Sequence, residues 1–326
     1  MTMDEAAKMY FDLKQGLMRP SSFANLQRLF RDHIQPQIGK VQINDITNRE
    51  LQKFYNSLVT EKCKNSDKTL SVGVIKDIVG LAKIILYFAM EEGEMQERRY
   101  KLRSPYGMRR NENGQDEYLS EEYYKKILTE CANIQSACKK RAKPKIFVLL
   151  ALTTGMRNGE ICGLQWQDIN FSDNTLSVKR TVQRIETIDG AGYVNIGEPK
   201  SAKSERTVIM PDITSNTLKK YKTMLNIQND NYYVLGSERP TEPRTMRESY
   251  RRLLKYLQIP YIRPHALRHT FATYMIGNGG DVKTTSMLLG HANTAITLDT
   301  YTHVTKKQKE KTFHKINELF CENKQL

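Results

Sequence analysis

The stretch Arg263–Val304, RPHALRHTFATYMIGNGGDVKTTSMLLGHANTAITLDTYTHV, decides how the rest of the chain is read. Pro264 suits the first position of a helix, where the amide hydrogen it lacks has no intrahelical partner. His265 and Arg268 stand at i and i+3, so an imidazole and a guanidinium share one helical face. Leu288-Leu289-Gly290-His291 reads as the end of a short helix stopped by a left-handed glycine, with a histidine just beyond it. Tyr301 follows ten residues later, inside Thr300-Tyr301-Thr302-His303.

Upstream, Thr154-Gly155-Met156-Arg157-Asn158-Gly159-Glu160 places an arginine just past a glycine break, where the next helix starts. A guanidinium and the free amides of a first turn can converge on phosphate there. Leu164, Trp166, Asp168 and Ile169 follow. Each piece alone has an ordinary reading: Arg157 as an ion pair with Glu160, His291 as a helix cap, Tyr301 as one of seventeen tyrosines. In this order, Arg157, His265-x-x-Arg268, His291 and Tyr301 resemble the tyrosine recombinase (phage integrase) family.

The resemblance covers the whole chain, strongly from Leu119 onward, and is greatest to integrases of temperate phages and conjugative transposons. It implies a mainly α protein. An N-terminal helical core-binding domain (1–103) and a linker (104–117) would precede a mixed α/β catalytic domain (118–326). That domain would be mostly helical, with a small antiparallel sheet and a C-terminal oligomerisation tail. The family's catalytic set runs Arg, a hairpin Lys, His-x-x-Arg, His and Tyr. Here it falls on Arg157, Lys200 or Lys203, His265, Arg268, His291 and Tyr301. The family lysine usually lies six residues before the arginine that ends the hairpin, which selects Lys200 ahead of Arg206. The partners implied are double-stranded DNA, held in a C-shaped clamp, and a homo-tetramer on two DNA sites, with an accessory DNA-bending or directionality factor. Many such integrases carry a small arm-binding domain, whereas this sequence opens almost directly on the core-binding domain.

Composition agrees. The 326 residues are long enough for two cored domains, and a net charge of +15 calls for a polyanionic partner, most economically nucleic acid. Five scattered cysteines without a C-x-x-C pair argue against a disulfide framework or a zinc site and fit a reducing cytoplasm. No apolar run approaches the roughly 20 residues of a membrane span. No His/Asp/Glu cluster has metal-ligand spacing and no phosphate-binding glycine loop appears, so neither metal nor nucleotide cofactor is implied.

Before residue 110 the pattern is helical. Met3–Gly16 carries a short periodicity, Ser21-Ser22 starts a second helix, and Pro36 and Gly39 break the chain. Thr47–Glu50 forms a capping box with Ile46 and Leu51 as its staple. Val72, Ile75, Ile78, Val79, Ala82, Ile85, Leu86 and Ala89 make one apolar stripe. The basic run Gln96–Glu117 reads as an interdomain linker, either a solvated charge run or, in a protein that clamps a duplex, a segment lying along phosphates. Ser120 caps the first helix of the second half, and Lys145–Thr154 is a buried helix. From Phe171 to Pro211, Leu176 with Val178, Val182 with Ile185 and Val208 with Met210 predict a three-stranded antiparallel sheet, with turns at Ser172–Asn174 and Ser201–Glu205. Helices resume at Asp212, and a capping box at Thr245–Glu248 opens another. In the tail, Phe313, Ile316, Leu319 and Phe320 form a stripe that must be buried, either on its own domain or, as the resemblance implies, on a neighbouring protomer.

The chemistry fits these residue types. Cutting DNA without a metal needs charge stabilisation on the phosphate oxygens, an in-line nucleophile and a proton for the leaving 5′-oxygen. Arginine forks bind phosphate bidentately and stay charged, which suits Arg157 and Arg268. A phenol such as Tyr301 can form a 3′-phosphotyrosyl ester that conserves the bond energy for rejoining. The resemblance makes His265 the general base, His291 a phosphate donor and the hairpin lysine the acid. Glu160 is expected to orient its neighbours, and His33, His269, His303 and His314 to be structural. The rivals are a type IB topoisomerase-like relaxing enzyme and a catalytically inactive architectural DNA-binding protein.

Overall fold

The helical stripes of the first hundred residues close on one another in a computed structural model. It describes residues 1–63, 67–105, 118–134, 139–187, 191–198 and 205–290. Helix α1 (Met3–Lys14) starts at Thr2, whose hydroxyl accepts from the Glu5 amide while Glu5 reaches back to the Thr2 amide. Met3, Ala6, Ala7 and Tyr10, at helical spacing, face the core. Helix α2 (Pro20–Leu29) does not stop where Pro36 predicts a break. It passes through a π-helical turn (Phe30–Ile34) into α3 (Gln35–Ile38). The Gln35 amide donates five residues back to Phe30, and this wider turn accommodates the missing N–H of Pro36. The run therefore buries Leu29, Phe30 and Ile34 without interruption.

Helix α4 (Asn48–Ser57) begins at Thr47 as expected, with the Glu50 amide on the threonine hydroxyl at 3.3 Å and both Ile46 and Leu51 buried. Helix α5 (Val72–Glu91), capped by Ser71, carries the longest stripe, and Ile75, Ile78, Ala82, Ile85 and Leu86 are essentially inaccessible. At about 1.5–3 kcal/mol for each large aliphatic side chain removed from water, this helix holds its unit together.

In the later half, α6 (Glu121–Ala132) is capped by Ser120. Helix α7 (Lys139–Thr154) buries Ile146 through Leu152 without a polar face, because α6, α9 (Asp212–Leu225), α10 (Pro243–Tyr256) and α11 (Pro264–Gly277) pack around it. Helix α10 starts at Pro243 rather than at the Thr245 box, since a proline preset for the first turn takes that position.

The sheet differs from expectation. Strands β1 (Ile169–Asn170), β2 (Thr175–Val178) and β5 (Arg206–Ile209) form the three-stranded sheet, in the order β1-β2-β5. The β2–β5 pair is antiparallel, with Leu176 opposite Val208 and Val178 opposite Arg206. Asn174, at φ 51°, closes the turn into β2. Strand β3 (Thr181–Glu186) is not in this sheet; it pairs with β4 (Gly192–Gly197) in a separate two-stranded one. The reason is visible in its spacing. Val182 and Ile185 are an odd number apart, so they lie on opposite faces of a strand and cannot line one core-facing side. The turn expected at Ser201–Glu205 lies almost wholly outside the described residues.

The chain divides into two compact units: Met1–Gly114 with Ile185–Tyr193, and Gln115–Arg184 with Val194–Leu326. Among the described residues no helix is long and apolar enough to cross a membrane.

Candidate active site

Gly155 ends α7 at φ 63°, a conformation favouring glycine, and a Cβ there would stand 2.6 Å from the Phe271 ring and 2.8 Å from Leu289. This turn brings the end of α7 against α11 and α12 (Val282–Leu289). Two residues on, Arg157 is the N-cap of α8 (Asn158–Gly163). Its amide is not open to an anion, because it donates to Glu160 Oε2 at 2.9 Å. The guanidinium Nη1 donates to Glu160 Oε1 at 2.8 Å and Nη2 to the Gly290 carbonyl at 3.0 Å. Arg157 keeps a third of its side chain exposed.

Arg268 comes from α11, which starts at Pro264 as the sequence predicts. It is 2% exposed, and its two Nη groups donate to Gly155 O at 2.8 Å and Leu289 O at 2.7 Å. His265, one turn earlier, is exposed. It stacks edge-on against His269 at 4.6 Å and lines a cleft of about 320 Å³ with Arg157, Asn158, Thr181, Gln183 and Pro243. Of the i, i+3 pair, Arg268 is buried and His265 faces the open cleft.

Helix α12 ends at Gly290, which is left-handed at φ 64°. Its last carbonyls are where the site converges. Leu288 O accepts from Arg206 Nε at 2.7 Å, Leu289 O from Arg268, and Gly290 O from Arg157. Three guanidinium groups from three segments therefore satisfy consecutive carbonyls at the negative end of one helix.

Glu160 ties two of them together. Its side chain is 2% exposed and accepts from Arg157 and from Arg206 Nη2 at 3.1 Å. Burial pushes its carboxyl up, but the charge and hydrogen bonds of Arg206, with the amide and charge of Arg157, outweigh burial and hold it below its usual value. The ion pair is therefore intact above the ordinary carboxylate range, and its contribution fades only as pH falls through that lowered value. Nearby, Asp168 makes a second knot, accepting from Arg180 and from the Gln165 amide.

Arg157 and Arg268 are thus gathered at one helix end, and His265 lines the cleft that Arg157 also lines. Lys200, Lys203, His291 and Tyr301 lie outside the described residues. Arg206 is absent from the sequence-based set. Its signal was the alternation that puts Arg206 on the same inward face of β5 as buried Val208.

A model of the phage integrase family matches residues 117–308, and one of the phage integrase N-terminal SAM-like domain matches residues 2–59. A XerC-like tyrosine recombinase of Caldanaerobacter subterraneus is 29% identical over 95% of this chain and 81% of its own length. Tyrosine recombinase XerA of Pyrococcus furiosus and the transposase of transposon Tn916 from Enterococcus faecalis are each 29% identical. The matches span 62% and 48% of their lengths, less than two thirds of either relative. Among solved structures, the Tn1549 transposon integrase in complex with a circular intermediate DNA shares the fold at TM-score 0.74 and 19% identity, over 96% of this chain and 99% of that one. A lambda integrase dimer bound to a core site matches at TM-score 0.62 and 18% identity, over 92% and 95%.

The chain belongs to the phage integrase family. It is a tyrosine recombinase, an enzyme of site-specific DNA recombination.

Proposed function

We propose that this recombinase integrates and excises a mobile element by cutting and rejoining DNA through a 3′-phosphotyrosyl bond to Tyr301. Four protomers would act on two DNA sites in the cytoplasm, helped by a DNA-bending or directionality factor. Residues 1–103 would be the core-binding domain, 104–117 the linker and 118–326 the catalytic domain. The observation that carries the reading is the placement of the Arg157 and Arg268 forks on Gly290 and Leu289, the two residues before His291. Two fixed cations at the entrance to that segment are what a phosphate acquiring negative charge requires.

In the proposed step the Tyr301 phenol oxygen attacks phosphorus as His265 accepts its proton. The P–O5′ bond breaks, and Lys200 protonates the departing 5′-oxygen. Arg157, Arg268 and His291 hold the non-bridging oxygens throughout. A supercoiled plasmid with two target sites, recovered from selection on a random DNA library, tests the function. Recombinant circles are the expected product. Relaxation alone would identify a topoisomerase-like enzyme, and a mobility shift with intact supercoils an architectural binder; either overturns the proposal.

The acid has its own test. A 5′-alkoxide needs a proton, whereas a sulfur leaving group has a far lower pKa and departs unaided. Lys200→Ala should therefore cleave normal DNA very slowly but recover with bridging 5′-sulfur at the scissile position, while Lys203→Ala should show only weaker binding. Rescue of Lys203→Ala instead would exchange the two roles.

A further inference from the structure

Arg206 occupies an unusual place for a charge, the inward position at the start of β5, level with Val178 and on the same face as Val208. Its side chain is 8% exposed, so its guanidinium has lost most of its water. A desolvated cation is tolerated only where fixed partners replace that water. Here they are the Glu160 carboxylate, through Nη1 and Nη2, and the Leu288 carbonyl, through Nε. The fit is close on the other side too, since a Cβ on Gly290 would stand 3.1 Å from Arg206 Nη1.

We infer that Arg206 is a positioning residue for the strand-transfer step, acting on the phosphate-binding Arg157 through Glu160 and through the end of α12. The inference rests on the recombinase reading of the same site. Two effects combine. Glu160 carries one negative charge and touches both arginines. With Arg206 present that charge is matched by the buried guanidinium, so Glu160 orients Arg157 while leaving a net positive charge for phosphate. Without Arg206 the buried carboxylate would have Arg157 as its remaining arginine and would draw that guanidinium out of use. The second effect is mechanical. The Nε–Leu288 bond pins the last turn of α12, whose next two carbonyls are those that Arg268 and Arg157 grip. One side chain thus sets both the charge and the register of the pair, and it opens the strand that follows Lys200 and Lys203 in the sequence.

Single-turnover cleavage of a nicked substrate at saturating DNA, measured beside the DNA dissociation constant and thermal stability, tests this in the full chain. Arg206→Ala should lower the cleavage rate about 100-fold, the loss typical of one misplaced oxyanion donor, while the dissociation constant stays within about threefold because phosphate contacts elsewhere dominate binding. Adding Glu160→Gln to that variant removes the unmatched carboxylate and should restore about tenfold of the rate, since one charge-assisted contact corresponds to roughly that factor. A packing role alone would not give back rate on removal of a second buried partner. Should Arg206→Ala not fold, Arg206→Lys with and without Glu160→Gln is read in the same way. An undiminished rate in the arginine variant, or no recovery on neutralising Glu160, overturns the inference. Absence of cleavage by the unaltered protein would instead overturn the recombinase reading on which it rests.

Discussion

Arg268→Ala is expected to lose DNA cleavage and stability together. The guanidinium is 2% exposed and holds the carbonyls of Gly155 and Leu289, so its removal strands two buried acceptors from two separate segments. Each buried acceptor left without a partner costs about 1–3 kcal/mol. For a unit of this size, a total of about 2–6 kcal/mol lowers Tm by about 4–24 °C. Catalysis should suffer more, because a fixed donor to a developing phosphate charge is worth about 100- to 1,000-fold in rate. Arg268→Lys should recover little of either. An ammonium keeps the charge, but it lacks the planar fork that spans Gly155 and Leu289 at once. Calorimetry and single-turnover cleavage measure the two effects. A stable Arg268→Ala variant that cleaves at the parent rate would place the phosphate elsewhere.

The coupling in that prediction could not be seen from the sequence. His265-x-x-Arg268 announces a shared helical face, yet the two side chains end in different surroundings, one exposed and one sealed. Burial is set by what packs over the helix, here the Gly155 turn and the end of α12, and neither is adjacent in sequence. The elements themselves were easier to read. Ser120, Thr47, Pro264 and Gly290 carry local chemistry that fixes a helix end whatever surrounds it, and all four stand where that chemistry places them. Pro36 did not act as a break, because a π-helical turn before it absorbed the missing hydrogen bond. Three apolar pairs predict one sheet, yet β3 lies outside it, because Val182 and Ile185 do not share a strand face.

Arg206 shows the same limit from the other side. In the sequence it marks the end of a hairpin, a basic residue before a strand. Its alternation with Val208 already placed a cation on a core face, and a cation there demands a carboxylate. Which carboxylate is a question of tertiary structure, and the answer, Glu160, lies 46 residues upstream.

The central claim is that this chain breaks DNA by covalent attack of one tyrosine, and a nicked suicide substrate tests it most directly. On such a substrate the proposed step would release the short 5′-hydroxyl fragment and leave the protein held by a 3′-phosphotyrosyl bond. The unaltered protein should give a denaturant-resistant protein–DNA adduct whose linked peptide contains Tyr301. Tyr301→Phe should bind the same DNA with nearly unchanged affinity, because phosphate contacts dominate binding, and should form no adduct. Adducts that persist in Tyr301→Phe, or cleavage by the unaltered protein with no covalent species, would contradict the account.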